Sequence, residues 1–309
     1  MRQILIELPT WLGDTVMTSP AIENLLKELP GSRLTFIGSD VSTEIMKFHP
    51  SCDAIIKCDK KISTFFSTIK ILSKFDIFIS FRSSLRSTIL KFLVKADEKY
   101  QYKKNSFTSG HQVEKYNQFI NLSLGIKLEA GKLKIHHSPY PRISKNPLLG
   151  INPGASYGSA KCWPYEKFVE VILSLSGKFD ILIFGGPNEI FLAEKIAKEL
   201  ERNNCANFEN LSGKTSISDL VGRISTLDIF ITGDSGSMHI AAAFQVPTVS
   251  IFGPTKINET SQWMNEKLAI LKKDLECQPC MKRVCPLGHH NCMKKISSKD
   301  VVDSALSLI

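Results

Sequence analysis

A small polar turn between an apolar run and a small-residue helix has the composition of an anion site. Residues 227–232 read Leu-Asp-Ile-Phe-Ile-Thr, and Gly233 and the segment Asp234–His239 follow. The first N–H groups of a helix and its positive dipole end bind anions, and Gly233 and Gly236 would let a ligand approach the backbone. The turn therefore predicts a phosphate or diphosphate site.

A second junction of the same kind lies near the start of the chain, at Gly13-Asp14. Asp14 follows a predicted strand and stands at or near the start of a helix, where aspartate is a common N-cap. It could equally project as a general base, because the helix end favours its ionised form. Both interpretations stay open at this point.

Two further predicted strands also end in glycine-rich loops. Residues 152–164 hold Gly154, Gly158 and Lys161, and a loop of small residues with a lysine suits a diphosphate, although a plain surface turn would look the same. In the other, Glu189 follows Gly185-Gly186 and could accept hydrogen bonds from sugar hydroxyls, or simply occupy the first turn of a helix. All four junctions lie at carboxyl ends of strands, where one cleft could collect them.

The elements that must position these residues form two series of alternating strands and helices. Strands are predicted at Ile4–Leu8, Leu34–Ile37, Ala54–Lys57, Asp76–Phe81, Lys99–Tyr102, Leu148–Asn152, Asp180–Phe184, Asn207–Leu211, Asp228–Thr232 and Thr248–Phe252. Helices are predicted at Val16–Leu29, Glu44–Phe48, Ser63–Lys74, Leu85–Val94, Val113–Leu124, Tyr165–Leu175, Glu189–Leu200, Ile217–Ile224, Met238–Phe244 and Lys299–Leu308. This order indicates an α/β protein with parallel sheets.

The length and a proline-rich stretch indicate two domains. A chain of 309 residues is long for one core, and residues 138–147 are rich in proline and polar side chains. We therefore expect domains at 1–145 and 146–309. No run of about 18 apolar residues occurs, and the N-terminus lacks the layout of a signal peptide, so we expect a cytoplasmic protein.

The positive charge is concentrated in the first half. Residues 1–150 contain 22 lysines and arginines and 13 acidic residues, whereas the remainder contains 17 of each. The excess could serve solubility, or it could attract a polyanion such as nucleic acid, a phosphorylated glycolipid or an anionic membrane.

Four of the eight cysteines, Cys277, Cys280, Cys285 and Cys292, crowd into one segment. In a cytosolic protein, metal binding or free thiols are expected before disulfides. A structural zinc with cysteine ligands is one interpretation. The other is a surface loop of reduced thiols, because the gaps are tighter than in paired CxxC knuckles.

These motifs together resemble the ADP-heptose:lipopolysaccharide heptosyltransferases of glycosyltransferase family 9. The resemblance extends from Gly13-Asp14 through the 152–164 loop and Asp234–His239 to Phe252-Gly253-Pro254-Thr255, and the cysteine segment is similar to the second-heptose enzymes of that family. It implies a GT-B fold of two Rossmann-like domains, acceptor in the first and donor in the second, with the C-terminal helix packing back on the first.

The resemblance also assigns roles. It implies that Asp14 is the catalytic base and that Lys161 binds the donor diphosphate. Donor contacts are implied for Asp234, Ser235, Gly236 and His239, for Ser156 and Tyr157 in the phosphate loop, and more loosely for Glu189 and Thr215. His239 alone would be interpreted as a packing residue, and Tyr157 departs from the small hydroxyl residues expected at its position.

The implied reaction is an inverting transfer from ADP-heptose that needs no metal or other cofactor. Its acceptor would be an anionic glycolipid, heptosyl-Kdo2-lipid A, met by peripheral contact at the cytoplasmic face of the inner membrane. Arg82 and Arg86, one helical turn apart after a predicted strand, are candidate acceptor contacts, as Lys103 and Lys104 are more weakly.

Two alternatives remain from the sequence. One is another GT-B enzyme, such as a first-heptose transferase, an N-acetylhexosamine transferase or a hydrolysing nucleotide-sugar epimerase. The other is a zinc-containing nucleic-acid-binding protein. We expect no nucleic-acid partner, because the positive charge and the cysteines lie in different halves and basic–aromatic interleaving is lacking.

Overall fold

The computed structural model describes residues 1–58, 62–138, 140–142, 144–155 and 157–309. The chain divides into two compact units, Met1–Ser138 and Pro139–Ile309. The boundary falls before the predicted one at residue 145, because the intervening segment binds the second unit. Arg142 pairs with Asp228 at 2.6 Å, and Ser144 donates to Asp180 at 2.5 Å.

The first unit is a parallel five-stranded sheet with helices. Its strands are β1 Gln3–Glu7, β2 Arg33–Gly38, β3 Cys52–Lys57, β4 Phe75–Ser80 and β5 Ala96–Gln101. Its helices are α1 Leu12–Met17, α2 Ser19–Glu28, α3 Asp40–Met46, α4 Ile62–Lys70, α5 Leu85–Leu93 and α6 Gln112–Leu124. The strand order is β3-β2-β1-β4-β5, so β1 lies at the centre.

The first predicted helix, Val16–Leu29, is in fact two helices with an earlier start. Pro20 in the first turn of α2 has no N–H for the carbonyl of Val16, and the Ser19 hydroxyl donates to that oxygen instead, at 2.7 Å. Helix α1 begins at Leu12, and Asp14 lies inside its first turn. The N-cap position belongs to Trp11, so the N-cap interpretation of Asp14 is wrong.

The second unit is a parallel six-stranded sheet. Its strands are β6 Leu148–Asn152, β7 Asp180–Ile183, β8 Phe208–Asn210, β9 Ile229–Gly233, β10 Thr248–Ile251 and β11 Leu268–Leu271. Its helices are α7 Tyr165–Leu175, α8 Ile190–Arg202, α9 Ile217–Ser225, α10 Gly236–Ala243, α11 Ile257–Thr260, α12 Asn291–Lys294 and α13 Ser298–Ser307. The order β11-β10-β9-β6-β7-β8 makes β6 and β9 central neighbours.

The C-terminal helix α13 is built into the second unit. Val301 and Ala305 are buried in that unit's core, and the helix packs against α7, β10 and β11. The expected packing of this helix on the first domain stays a prediction. Among the described residues, no helix has both the length and the apolar character needed to cross a membrane.

Candidate functional site

The centre of the second sheet brings two predicted loops together. Asn152 ends β6, and its amide donates to the Ser237 hydroxyl at 2.6 Å and to the Ser235 hydroxyl at 3.2 Å. The two serine hydroxyls lie 2.8 Å apart. These bonds fix the β9–α10 turn against the start of the glycine-rich loop. The two segments meet because β6 and β9 are parallel neighbours, so both strands end at the same edge of the sheet.

A buried ion pair joins the same two loops. The Lys161 ammonium lies 2.5 Å from Asp234 Oδ2 and donates to the Asp234 carbonyl at 3.2 Å. The two side chains are only 11% and 6% exposed. Thr255, after β10, donates to the same carboxylate oxygen at 2.6 Å. Three strand ends therefore converge on Asp234, and Lys161 is the cation available to an incoming anion there.

The remaining predicted donor residues fall at the same edge with different surroundings. Tyr157 places its ring 4.7 Å from the Lys161 ammonium and donates its hydroxyl to the Met281 carbonyl at 2.7 Å. Ser235 is the N-cap of α10 and Gly236 its first residue. His239 is buried in that helix. Ser156 lies outside the described residues.

Glu189 follows β7 and is buried against glycines. A Cβ atom at Gly154 would lie 2.1 Å from the Glu189 side chain, and one at Gly185 2.9 Å from it, so both loops need glycine here. The sequence did not single out Ser212 in the next loop. Its hydroxyl is buried without a hydrogen-bond partner in the described part of the chain. Thr215, half-buried, follows in the same loop.

In the first unit, Glu7 is a buried carboxylate that the sequence analysis missed. Ser80 donates to it at 2.5 Å and Ser87 at 2.9 Å, and the Arg82 guanidinium lies 3.6 Å away. Burial raises the pKa of Glu7, against the lowering effect of these hydrogen bonds and of Arg82 and Arg86. The one signal in the sequence is its place on β1 next to an apolar run, on the same face of the strand as Leu5.

The candidate acceptor arginines both lie beside this carboxylate. Arg82 pairs with Glu7, and Arg86 stacks over the Phe65 ring with its guanidinium carbon 4.5 Å from the centroid. Arg86 also lies within 3.1 Å of the Cys58 sulfur. Asp14, in α1, is half-buried. The prediction that these residues and the donor residues share one cleft stays a prediction.

One group in the first unit has the spacing of metal ligands. Donor atoms of Glu23, His49 and His136 lie within 4.8 Å of one another. However, Lys134 occupies the other oxygen of Glu23 at 3.0 Å, and the Ser51 N–H donates to His49 Nδ1. The proton of neutral His49 is then on Nε2, so that atom has no lone pair for a metal.

We therefore interpret this group as a polar cluster around the Glu23 carboxylate, which holds residues 134–136 to α2. The His49 imidazole, whose Nε2 lies 3.4 Å from Glu23 Oε1, makes the largest contribution to holding the pKa of Glu23 far below its usual range. His136 and Lys134 act in the same direction, and burial opposes them. Burial in turn lowers the pKa of His136.

The four clustered cysteines line one small cavity, of about 20 Å³, together with His289 and His290. All four are free thiols. Backbone N–H groups directed at the Cys285 sulfur, that of His290 above all, lower the pKa of that thiol. Burial raises the pKa of Cys292, and the charges of the other three cysteines add to the effect.

Comparisons with known proteins agree with this architecture. A model of glycosyltransferase family 9 (heptosyltransferase) matches residues 111–291. The chain is 42% identical to lipooligosaccharide heptosyltransferase 2 of Campylobacter jejuni subsp. jejuni serotype O:2, over 99% of this chain and 98% of that protein.

Two solved structures share the fold. The E. coli ADP-heptose lps heptosyltransferase II has a TM-score of 0.83 at 19% identity and covers 99% of this chain and 98% of that one. A family 9 glycosyltransferase from Veillonella parvula DSM 2008 has a TM-score of 0.86 at 21% identity, with 99% and 97% covered. The predicted GT-B architecture is confirmed.

Removing Asp234 should destabilise the second unit. The Asp234→Ala variant leaves the Lys161 ammonium buried without its carboxylate, and we expect a loss of about 3 kcal/mol in the free energy of unfolding. Urea unfolding measures it. The control is Asp303→Ala, which removes an exposed partner of Lys299 in α13. Equal effects in the two variants would contradict a buried, structurally important pair.

Glu7 should make stability fall as pH rises. Because the folded protein keeps the Glu7 proton above the ordinary carboxyl pKa of 4.5, the unfolded chain releases it first. We expect wild type to lose stability relative to Glu7→Gln as pH rises from about 4 towards the raised pKa. Urea unfolding of both proteins across this pH range measures the difference in their free energies of unfolding. A difference in the free energy of unfolding that does not change with pH would contradict a raised pKa of Glu7 in the folded protein.

Proposed function

Because the chain belongs to glycosyltransferase family 9, the heptosyltransferases, we propose that it transfers heptose from ADP-heptose to the lipooligosaccharide inner core. Two relatives indicate the substrates: one solved structure is that of an ADP-heptose lps heptosyltransferase II, and the Campylobacter relative is a lipooligosaccharide heptosyltransferase 2. The acceptor would be the first heptose of heptosyl-Kdo2-lipid A.

The observation that carries this proposal is the buried Lys161–Asp234 pair at the entrance to α10. A nucleoside diphosphate needs a cation and free backbone N–H groups, and this corner offers Lys161 beside the first turn of an eight-residue helix. We propose that the diphosphate takes the Lys161 ammonium as its partner. Asp234 then keeps the hydrogen bond from Thr255.

The sugar and nucleoside would lie along the neighbouring strand ends. Glu189 and Thr215 follow β7 and β8, which continue the sheet outward from β6. We assign Glu189 to hydroxyl groups of the donor, because it follows β7, the strand next to β6, from whose end the Lys161 loop begins. Ser235, Gly236, His239, Tyr157 and Ser156 complete the proposed donor set.

Asp14 is the proposed base of the transfer. It would remove the proton of the acceptor hydroxyl while the anomeric carbon loses ADP through an oxocarbenium-like transition state. Its place in the first turn of α1 favours the carboxylate form. Lys161 and the N–H groups of the α10 turn would stabilise the charge on the departing diphosphate, so we propose no metal for this step.

A surface of the first unit has the character of a membrane contact. On α5 the exposed apolar side chains Leu85, Ile89 and Phe92 follow at intervals of four and three residues, which places them on one helical face. Residues 62–95 contain six basic residues and one acidic residue. An apolar helix face with basic surroundings fits an anionic bilayer surface, where a lipid-linked acceptor lies.

We call Leu85, Ile89 and Phe92 the α5 face. Phe66 and Ile71, at 45% and 80% exposure, extend the apolar surface onto α4 and the turn after it. The two helices pack on the same core cluster, which contains Phe65 of α4 and Leu90 of α5. We propose peripheral contact of this face with the cytoplasmic leaflet of the inner membrane.

Asp14→Asn should separate binding from chemistry. The amide keeps the shape of the side chain but cannot take a proton, so we expect turnover to fall by about two to four powers of ten with donor affinity unchanged. Product formation from ADP-heptose and the glycolipid gives the rate, and calorimetry with ADP-heptose gives the affinity. A variant that turns over near the wild-type rate would remove Asp14 as the base.

Phe92→Ser should weaken binding to anionic vesicles. Phe92 is 82% exposed, and losing its ring from the bilayer interface should lower the partition coefficient by about tenfold. Co-sedimentation with phosphatidylglycerol vesicles at low and high salt measures it. Phe191→Ser is the matched control, since Phe191 on α8 of the second unit is 80% exposed. Equal losses in both variants would contradict a specific α5 face.

A further inference from the structure

The cysteine cavity is built into the loops that carry the donor site. The Ala160 N–H donates to the Arg283 carbonyl at 3.0 Å, and His290 Nε2 lies 2.9 Å from the Ala160 carbonyl. A Cβ atom at Gly158 would lie 2.4 Å from the Arg283 oxygen, so the two segments pass in direct contact. Ala160 is the residue before Lys161.

The same segment is also fixed on its other side. Gln278 donates to the Gly253 carbonyl at 2.6 Å, and the Met281 N–H donates to the Pro254 carbonyl at 2.9 Å. Pro254 precedes Thr255, which donates to Asp234. The loop from Cys277 to Cys292 thus contacts both segments that hold the Lys161–Asp234 pair.

The thiols of this loop have features of metal ligands. The four cysteine sulfurs line one cavity together with His289 and His290, and thiolate and imidazole are the ligands that thiophilic metals prefer. His290 donates from Nε2 to the Ala160 carbonyl, and this bond fixes its ring beside the cavity. Gln278 adds a buried amide oxygen that has no hydrogen-bond partner among the described residues.

We propose that Cys277, Cys280, Cys285 and Cys292 bind one thiophilic metal ion, which holds the loop that shapes the donor site. The cavity has room for one water-sized occupant, which suits a single ion. Each thiol that binds releases its proton to solvent, and no electron is transferred. The donor-site part of this inference rests on the proposed function, whereas metal binding does not.

Binding must draw the sulfurs inward. Of the residues with assigned positions, those whose donor atoms lie within 4.8 Å as a group are Glu23, His49 and His136, so the four sulfurs have not reached the spacing of one ion. Thiolates at about 2.3 Å from a zinc ion lie closer together than this. The metal is therefore expected to stabilise the loop as it binds.

Metal content and a cobalt titration test the proposal. Protein purified without chelators should hold about one zinc or iron ion per chain by mass spectrometry. Stripped, reduced protein should bind Co2+ one to one, with sulfur-to-cobalt absorption in the near ultraviolet and the visible bands of tetrahedral cobalt. Cys285→Ser should weaken Co2+ binding by at least about tenfold.

The matched control is Cys52→Ser, a half-buried free thiol of the first unit, which should leave the titration unchanged. A rise in Tm on adding Zn2+ to wild type, but not to Cys285→Ser, separates metal binding from misfolding of the variant. Wild-type protein without metal and without the cobalt bands, or equal effects of the two substitutions, would overturn the proposal.

The link to the donor site has its own measurement. Calorimetry with ADP should show weaker binding to the stripped protein than to the metal-loaded protein, because the Met281–Arg283 segment positions Tyr157 and Ala160. Equal ADP affinity in both forms would overturn the link while leaving the metal site. Failure of both forms to bind ADP would instead contradict the proposed function.

Discussion

The structure of the second unit depends on one buried ion pair, Lys161 with Asp234. Neither side chain could be buried alone, because an unpaired charge at this depth costs several kcal/mol. The pair therefore fixes the glycine-rich loop after β6 against the turn after β9. Thr255, which donates to Asp234, fixes the loop after β10 to the same turn. The same ammonium that neutralises Asp234 is the group that a diphosphate would recruit.

The positions of these loops could be predicted from the sequence because they follow from strand order. Polar and glycine residues directly after apolar strands must lie at the carboxyl edge of a parallel sheet, and Asn152, Lys161, Glu189 and Asp234 do so in the second unit. The family model and the Campylobacter relative confirm the resemblance that these motifs suggested.

Other features depend on contacts that no local pattern records. Glu7 looks like the end of an ordinary strand until Ser80, Ser87 and Arg82 surround it, and these lie far along the chain. Strand β11 was missed because it is a short, half-buried edge strand. Helices α1 and α2 are separate because Pro20 has no N–H to donate to the Val16 carbonyl, which accepts from the Ser19 hydroxyl instead.

Mass spectrometry of the glycolipid product can show whether the protein transfers one heptose from ADP-heptose. The protein is incubated with ADP-heptose and heptosyl-Kdo2-lipid A, with a parallel reaction that contains UDP-N-acetylglucosamine. We expect the acceptor mass to increase by one heptose in the reaction with ADP-heptose and to stay unchanged in the reaction with UDP-N-acetylglucosamine. An unchanged acceptor mass with ADP-heptose, or an increase of one N-acetylhexosamine instead, would contradict this transfer.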